Sequence, residues 1–241
     1  MAAKRDLSSS TAAASTTAST ATASPATAST TASTTAADER EGLRRLFEES
    51  IRLKQAMLTN NQLEPLIAMA GSIVQSIIAG GKLMLCGNGG SAADAQHLAA
   101  ELLVRLRPHI NRDGIPALAL AMDSSTMTAC GNDFAYEVLY QRMLCTLGRS
   151  GDVLLGITTS GRSRNVNLAL RAARGAGITT LGFLGGDGGE AQALCDHALI
   201  VPSARTGRIQ EVHITAGHAL MELIEDRLIS AKHVKMQETP S

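Results

Sequence analysis

The chain has 241 residues and a formal net charge of zero, with 22 Lys and Arg balanced by 22 Asp and Glu. A duplex nucleic-acid binder needs a basic face, and a base-stacking platform needs more aromatics than two Tyr, three Phe and no Trp, so a nucleic acid is not expected as a partner. No apolar run reaches the roughly 18–20 residues that span a bilayer, which excludes a membrane protein.

Apart from Pro25, residues 8–37 contain only Ala, Ser and Thr. Such a segment buries too little surface to offset ordering its backbone, so residues 1–37 are expected to form a disordered tail. No strongly apolar stretch follows Lys4 and Arg5, as a secretory signal requires, and no Arg recurs between Asp6 and Glu39, as a transit peptide requires. Residues 38–235 remain as one folded domain, long enough for a sizeable core.

From Asp38 the pattern changes. Leu43, Leu46, Phe47, Ile51, Met57 and Leu58 recur at helical steps, and a second helix is expected over 62–79 with Pro65 in its first turn. Short apolar runs follow at Leu83–Cys86, Pro116–Ala121, Val153–Ile157, Ile178–Leu184 and Ala198–Val201. Helical stretches separate them at about 91–107, 124–147, 163–176 and 187–195, and a long one follows at 208–231. Strands that are apolar throughout and joined by helices imply an α/β fold, a doubly wound parallel sheet of five strands behind an N-terminal helical pair. Cys86, Cys130, Cys145 and Cys195 are scattered without a C-x-x-C pair, which fits reduced thiols in a cytoplasmic protein.

In open α/β sheets the loops leaving the carboxyl ends of strands carry the ligand sites. Gly87-Asn88-Gly89-Gly90-Ser91 opens a helix, with Ser91 as its expected cap. It is neither G-x-G-x-x-G nor a Walker A loop, which disfavours dinucleotides and nucleoside triphosphates. Thr158, Thr159, Ser160 and Ser163 surround Gly161 before another helix, a set suited either to one phosphate monoester or to a helix cap. Asn132 and Asp133 suit sugar hydroxyls or a turn. Gly185–Gly189 reads as a flexible turn without chemistry.

His97 and Glu101 lie four apart, about 40° around a helix axis, so they share a face, with Asp94 near the same stripe. On the last helix Gln210 and His218 lie about 80° apart, while His213 faces elsewhere. His109, His197 and His233 lack such partners. A His and a Glu on one face form an ordinary surface pair in most helices. With the ligand loops present, the same residues suit a zinc site of N and O donors or a proton shuttle between adjacent carbons.

Five motifs in order resemble the phosphoheptose isomerases of the SIS (sugar isomerase) fold. They are Gly87–Ser91, His97-Leu98-Ala99-Ala100-Glu101, Gly131-Asn132-Asp133-Phe134, Gly151–Gly161 and Arg208–His213. The resemblance covers about residues 41–231. It implies conversion of sedoheptulose 7-phosphate to D-glycero-D-manno-heptose 7-phosphate through an enediol, the first step of nucleotide-activated heptose synthesis. It further implies Glu101 and His218 as the acid–base pair and zinc on His97, Glu101, Gln210 and His218. Thr158, Thr159, Ser160 and Ser163 would hold the phosphate, and Asn88, Gly89, Gly90, Ser91, Asn132, Asp133 and Gln210 would complete the substrate site.

A homotetramer with sites between subunits is part of the same implication, as is a phosphorylated seven-carbon sugar as ligand. A metal-bound carboxylate is a weaker base, so two roles compete for Glu101. The family often has Ser at Thr158 and Asp at Gly207. The alternative is a non-enzymatic SIS adaptor that binds the bacterial replication initiator. Ala95-Gln96-His97 is similar to its helix, but that relative lacks counterparts of Glu101 and His218. A SIS sensor module is a third reading, and it would need a partner domain that the tail does not supply.

Overall fold

The computed structural model describes residues 35–59, 61, 63–120 and 123–237. Most of the expected tail, residues 1–34, lies outside them. Helix α1 (Ala36–Thr59) begins where Thr35 and Asp38 bond reciprocally, Thr35 N donating to Asp38 Oδ2 at 3.1 Å and Asp38 N to Thr35 Oγ1 at 3.2 Å. That exchange satisfies donors the first helical turn would otherwise leave open. Helix α2 (Glu64–Ile78) carries Pro65 in its first turn and turns into strand β1 (Leu83–Gly87) through Gly80, whose φ is +87°.

Helix α3 (Gly90–Leu103) leads to strand β2 (Ala117–Ala119) and helix α4 (Ser124–Asp133), which Asp123 caps by accepting from Thr126 N at 2.7 Å. A 3₁₀ turn (Tyr136–Val138) and helix α5 (Leu139–Leu147) come next. Then follow β3 (Val153–Thr158), α6 (Arg164–Gly175), β4 (Thr179–Gly185), the single-turn α7 (Gly189–Gln192), β5 (His197–Val201) and α8 (Thr206–Ser230).

The strands form one parallel sheet in the order β2-β1-β3-β4-β5, with Leu83 opposite Val153, Leu155 opposite Leu181 and Phe183 opposite Leu199. Both faces are covered, which is why the strands read as continuous apolar runs. Ile73, Leu98, Leu155, Phe183, Leu220 and Ile224 belong to the core under α2, α3 and α8. Met84, Leu144, Leu154, Val166 and Leu170 belong to the core under α5 and α6. The chain leaves β1 outward to β2 and returns to β3 on the other side. The β1 and β3 loops therefore flank a crevice, the position where such sheets bind ligands.

Several boundaries differ from the sequence reading. The helix expected over 124–147 breaks after Asp133, because Phe134 (φ −132°, ψ −97°) and Ala135 (φ −166°, ψ 153°) leave helical geometry. Gly131-Asn132-Asp133 holds a helix weakly, and the Arg142 guanidinium sits 3.7 Å over the Phe134 ring on the far side of the break. The stretch at 91–107 ends at Leu103, where the Arg112 guanidinium takes the terminal carbonyls. Strand β2 is shorter than 116–121, and residues 121–122 lie outside the described set. The helix expected over 187–195 is one turn, and His197, read as a surface or loop residue, begins β5.

Candidate active site

Helices α3 and α8 run side by side in the same direction, and their facing side chains meet in sequence. Asp94 accepts from Gln210 Nε2 at 2.8 and 3.0 Å, and His97 Nε2 lies 2.8 Å from His218 Nε2. Leu98 packs on Gly217, where a Cβ would fall 2.6 Å from Leu98 Cδ1. Only a residue without a side chain allows that approach, and His218 is its neighbour. Glu101 Oε1 lies 3.2 Å from His97 Nε2.

One ligand atom from each of His97, Glu101 and His218 thus lies within 4.8 Å of the others. The set offers two imidazole nitrogens and a carboxylate oxygen, the donors zinc prefers, and at most one proton can sit between the two facing Nε2 atoms. These residues fit a divalent cation. Gln210, the fourth expected ligand, points its amide nitrogen at Asp94, which leaves the carbonyl oxygen, the atom a metal would use, uncommitted. Burial pushes the Asp94 carboxyl up, while the Gln210 bond and the charges of His97 and His218 pull it back.

The β1 loop abuts this seam at Gly90, where a Cβ would lie 3.7 Å from the Gln210 side chain. Gly89, with φ +54°, is the N-cap of α3. Ser91 therefore lies buried inside the first turn rather than capping it, as the sequence reading had it. The Asn88 side chain forms a lock with α6, Asn88 Nδ2 donating to Asn165 Oδ1 and Asn165 Nδ2 donating to Asn88 Oδ1, both at 2.8 Å. Tyr136 Oη adds a third bond to Asn88 Oδ1 at 2.7 Å, and Tyr140 Oη bonds the Gly87 carbonyl. Burial pushes the Tyr140 phenol well above its usual range.

In the β3 loop the buried Thr158 hydroxyl lies 2.9 Å from Ser163 Oγ, and exposed Ser160 Oγ accepts from Arg162 N at 3.1 Å. Thr159 is half-buried, and its carbonyl would lie 2.3 Å from a Cβ at Gly185. Ser163, the N-cap of α6, makes no side-chain cap bond, so the helix end does not consume its hydroxyl.

The Gly185–Gly189 turn, read without a role, braces this loop. A Cβ on Gly161 (φ +64°) would sit 1.9 Å from the Gly188 carbonyl, and Ala191 N donates to Gly161 O at 3.0 Å. Asp187 pairs with Arg162 at 2.7 Å.

Asn132 and Asp133 do not join the cluster within one protomer. They are exposed at the end of α4, and Asn132 Nδ2 donates to Asp133 Oδ1 at 2.8 Å. His213 faces away from the seam, as its angle predicts. It is fully buried with Nε2 3.0 Å from the Leu184 carbonyl, and burial pushes its pKa down to about 4. Sequence reasoning missed Asn165, Tyr136, Gly217 and Asp187. Their partners lie far along the chain, and no local spacing marks them.

Comparison with known proteins agrees with this geometry. The SIS domain model matches residues 45–185, which places the chain among the SIS-domain proteins that the sheet order and crevice suggest. The chain is 44% identical to the phosphoheptose isomerase of Clostridium acetobutylicum over 77% of this chain and 94% of the relative. It is 55% identical to that of Paramagnetospirillum magneticum over 67% and 83%. The solved phosphoheptose isomerase from Neisseria gonorrhoeae superposes with a TM-score of 0.73 at 40% identity, over 78% of this chain and 99% of that one. Within the SIS proteins, the chain belongs to the phosphoheptose isomerase family.

Proposed function

We propose that this chain interconverts sedoheptulose 7-phosphate and D-glycero-D-manno-heptose 7-phosphate, supplying nucleotide-activated heptose synthesis. The observation that carries this reading is the meeting of His97, Glu101 and His218 across the α3–α8 seam, which the β1 loop abuts at Gly90 and to which the Asn88–Asn165 pair ties the start of α6. Thr158, Thr159, Ser160 and Ser163 hold the phosphate at the start of α6, where backbone amides and the helix dipole favour an anion. Gly89, Gly90 and Gln210 line the sugar chain, and the Asn88–Asn165 lock keeps the two loops at a fixed separation.

Glu101 takes a proton from C1 of the ketose, exchanges it with solvent while the enediol stands, and delivers a proton to C2. His218 passes the hydroxyl proton from O1 to O2 of the enediol, so that the carbonyl moves from C2 to C1. His97, Glu101, Gln210 and His218 would hold zinc, which would supply Lewis-acid polarisation of the carbonyl. Ligation makes Glu101 a weaker base, so its ligand and base roles belong to different moments of the cycle. An initiator-binding adaptor needs neither Glu101 nor His218.

The active form is read as a homotetramer in the cytoplasm. Supporting this, α1 leaves Phe47 72% exposed beside Leu43, Ile51 and Leu58, an apolar stripe that a second copy would cover. Neighbouring protomers would also supply Asn132 and Asp133 to the sugar. The four cysteines are free thiols, as in a reducing compartment. Among the described residues no helix is long and apolar enough to cross a membrane.

The test is a coupled isomerase assay on sedoheptulose 7-phosphate with metal-replete and chelator-treated protein. Turnover that falls on chelation and returns with zinc is expected. No turnover by folded tetramer in either state would overturn the activity, and full turnover after complete zinc removal would overturn only the metal.

A further inference from the structure

The seam that carries the candidate catalytic groups has a second anchor at its far end, away from the loops. Arg112 lies between α3 and β2, and its side chain is fully buried, as is that of Glu225 on α8. Arg112 Nε donates to Glu225 Oε1 at 2.5 Å. Its other nitrogens reach the end of α3, with Nη2 donating to the Glu101 carbonyl at 2.9 Å and Nη1 to the Leu102 carbonyl at 2.8 Å. Nη1 also reaches the Asp113 carbonyl at 3.0 Å. The last carbonyls of a helix have no partners within it and carry its negative dipole end, so a guanidinium there is doubly suited.

We propose that Arg112 and Glu225 are positioning residues for the isomerisation, a buried clamp that fixes the end of α3 on α8 and so sets the separation of Glu101 and His97 from His218. The guanidinium grips the backbone of Glu101 itself, and a helical side chain follows the direction its backbone imposes. Glu225 lies two turns beyond His218 on the same helix, so the clamp and the cluster share one seam.

Each end of the clamp is held in turn. The second oxygen of Glu225 accepts from Arg107 Nε at 2.6 Å, and Arg107 also pairs with Asp226. The backbone around Arg112 pairs with the C-terminal segment: Asp113 N donates to Lys235 O at 3.0 Å and Gln237 N to Asn111 O at 2.9 Å. Apolar residues can often replace a buried ion pair without loss of stability, but they give contact without direction. A planar guanidinium with every nitrogen engaged sets direction.

The inference rests on reading Glu101 and His218 as the acid–base pair, and the experiment separates the two. Glu101→Gln, the double variant Arg112→Met with Glu225→Leu, and Arg112→Lys are compared with wild type. Secondary structure, oligomeric state, kcat, KM and zinc retention against a competing chelator are measured for each. Arg112→Lys keeps the charge facing Glu225 and loses the fork to the two carbonyls, and it decides the matter if the double variant does not fold.

Folded clamp variants are expected to lose at least tenfold in kcat, with KM within twofold of wild type and zinc held about tenfold more weakly. Wild-type kcat in a folded clamp variant, alone or with lowered stability, would overturn the clamp. Full turnover by Glu101→Gln would overturn the acid–base reading instead. A wild type that holds no zinc would remove the metal reading and leave the clamp to be decided on kcat.

Discussion

The two halves of the candidate site are built differently. The half proposed to hold the phosphate is a run of consecutive residues, Thr158–Ser163, whose shape comes from backbone contacts with the neighbouring turn at Gly161 and Gly188. The chemical half draws on residues far apart in the chain, Asp94 with Gln210 and His97 with His218. It depends on two helices keeping their spacing. A loop braced by backbone is expected to fail locally when altered, weakening binding. A seam between helices is expected to fail as geometry, losing rate while substrate still docks. Kinetics can therefore tell the halves apart: seam damage lowers kcat, and loop damage raises KM.

The strongest break comes from the seam's own groups. Glu101→Gln and His218→Asn are each expected to lower kcat by a factor on the order of 10² or more, with KM little changed in steady-state assays. Acid reaches the same helix through His213, which ties α8 to the end of β4. Burial holds its folded pKa at about 4, below the ordinary imidazole value of 6.5. Between those values the unfolded chain binds a proton that the native state refuses, so stability falls as pH drops from 6.5 to 4 and levels off below. That loss amounts to about 3 kcal/mol. Urea midpoints measured across this range should fall less steeply in His213→Gln, whose amide can still donate to the Leu184 carbonyl.

Widening the seam is next in size. Gly217→Ala places a Cβ against Leu98 and is expected to cost about 1–3 kcal/mol in stability, seen in denaturant titration, and roughly tenfold in kcat. The mildest change belongs to the loop. Thr158→Val removes the hydroxyl facing Ser163 and should raise KM about tenfold with kcat nearly constant, the size of one lost hydrogen bond to a charged group. A fall in kcat without a change in KM from that variant would erase the distinction between the halves.

The parallel sheet was legible because each strand is apolar throughout and each crossover carries helical periodicity, both properties of short windows. His97 and Glu101 were legible as a pair because four residues is a helical distance. That they meet His218 follows from packing between α3 and α8, which the donor types suggested as one open reading and the resemblance to a family singled out. The sugar-facing role of Asn88 came from the resemblance alone, and its bond to Asn165, 77 positions away, left no local mark in the sequence. Phe134 and Ala135 ended a helix whose apolar spacing continues past them, since backbone geometry at two residues overrides a periodic pattern. Arg112 and Glu225 gave no sequence signal, because a charged residue in a loop and another on a helix read as solvated surface.

The most direct test of chemistry at the seam follows solvent deuterium into the sugar during turnover of sedoheptulose 7-phosphate, by proton magnetic resonance, with substrate binding measured separately by calorimetry. Wild type is expected to form the aldose with deuterium at C2, while Glu101→Gln binds the substrate normally but exchanges and turns it over slower by a factor on the order of 10² or more. Turnover and exchange at the wild-type rate in Glu101→Gln would contradict the assignment of the proton transfer to the α3–α8 seam.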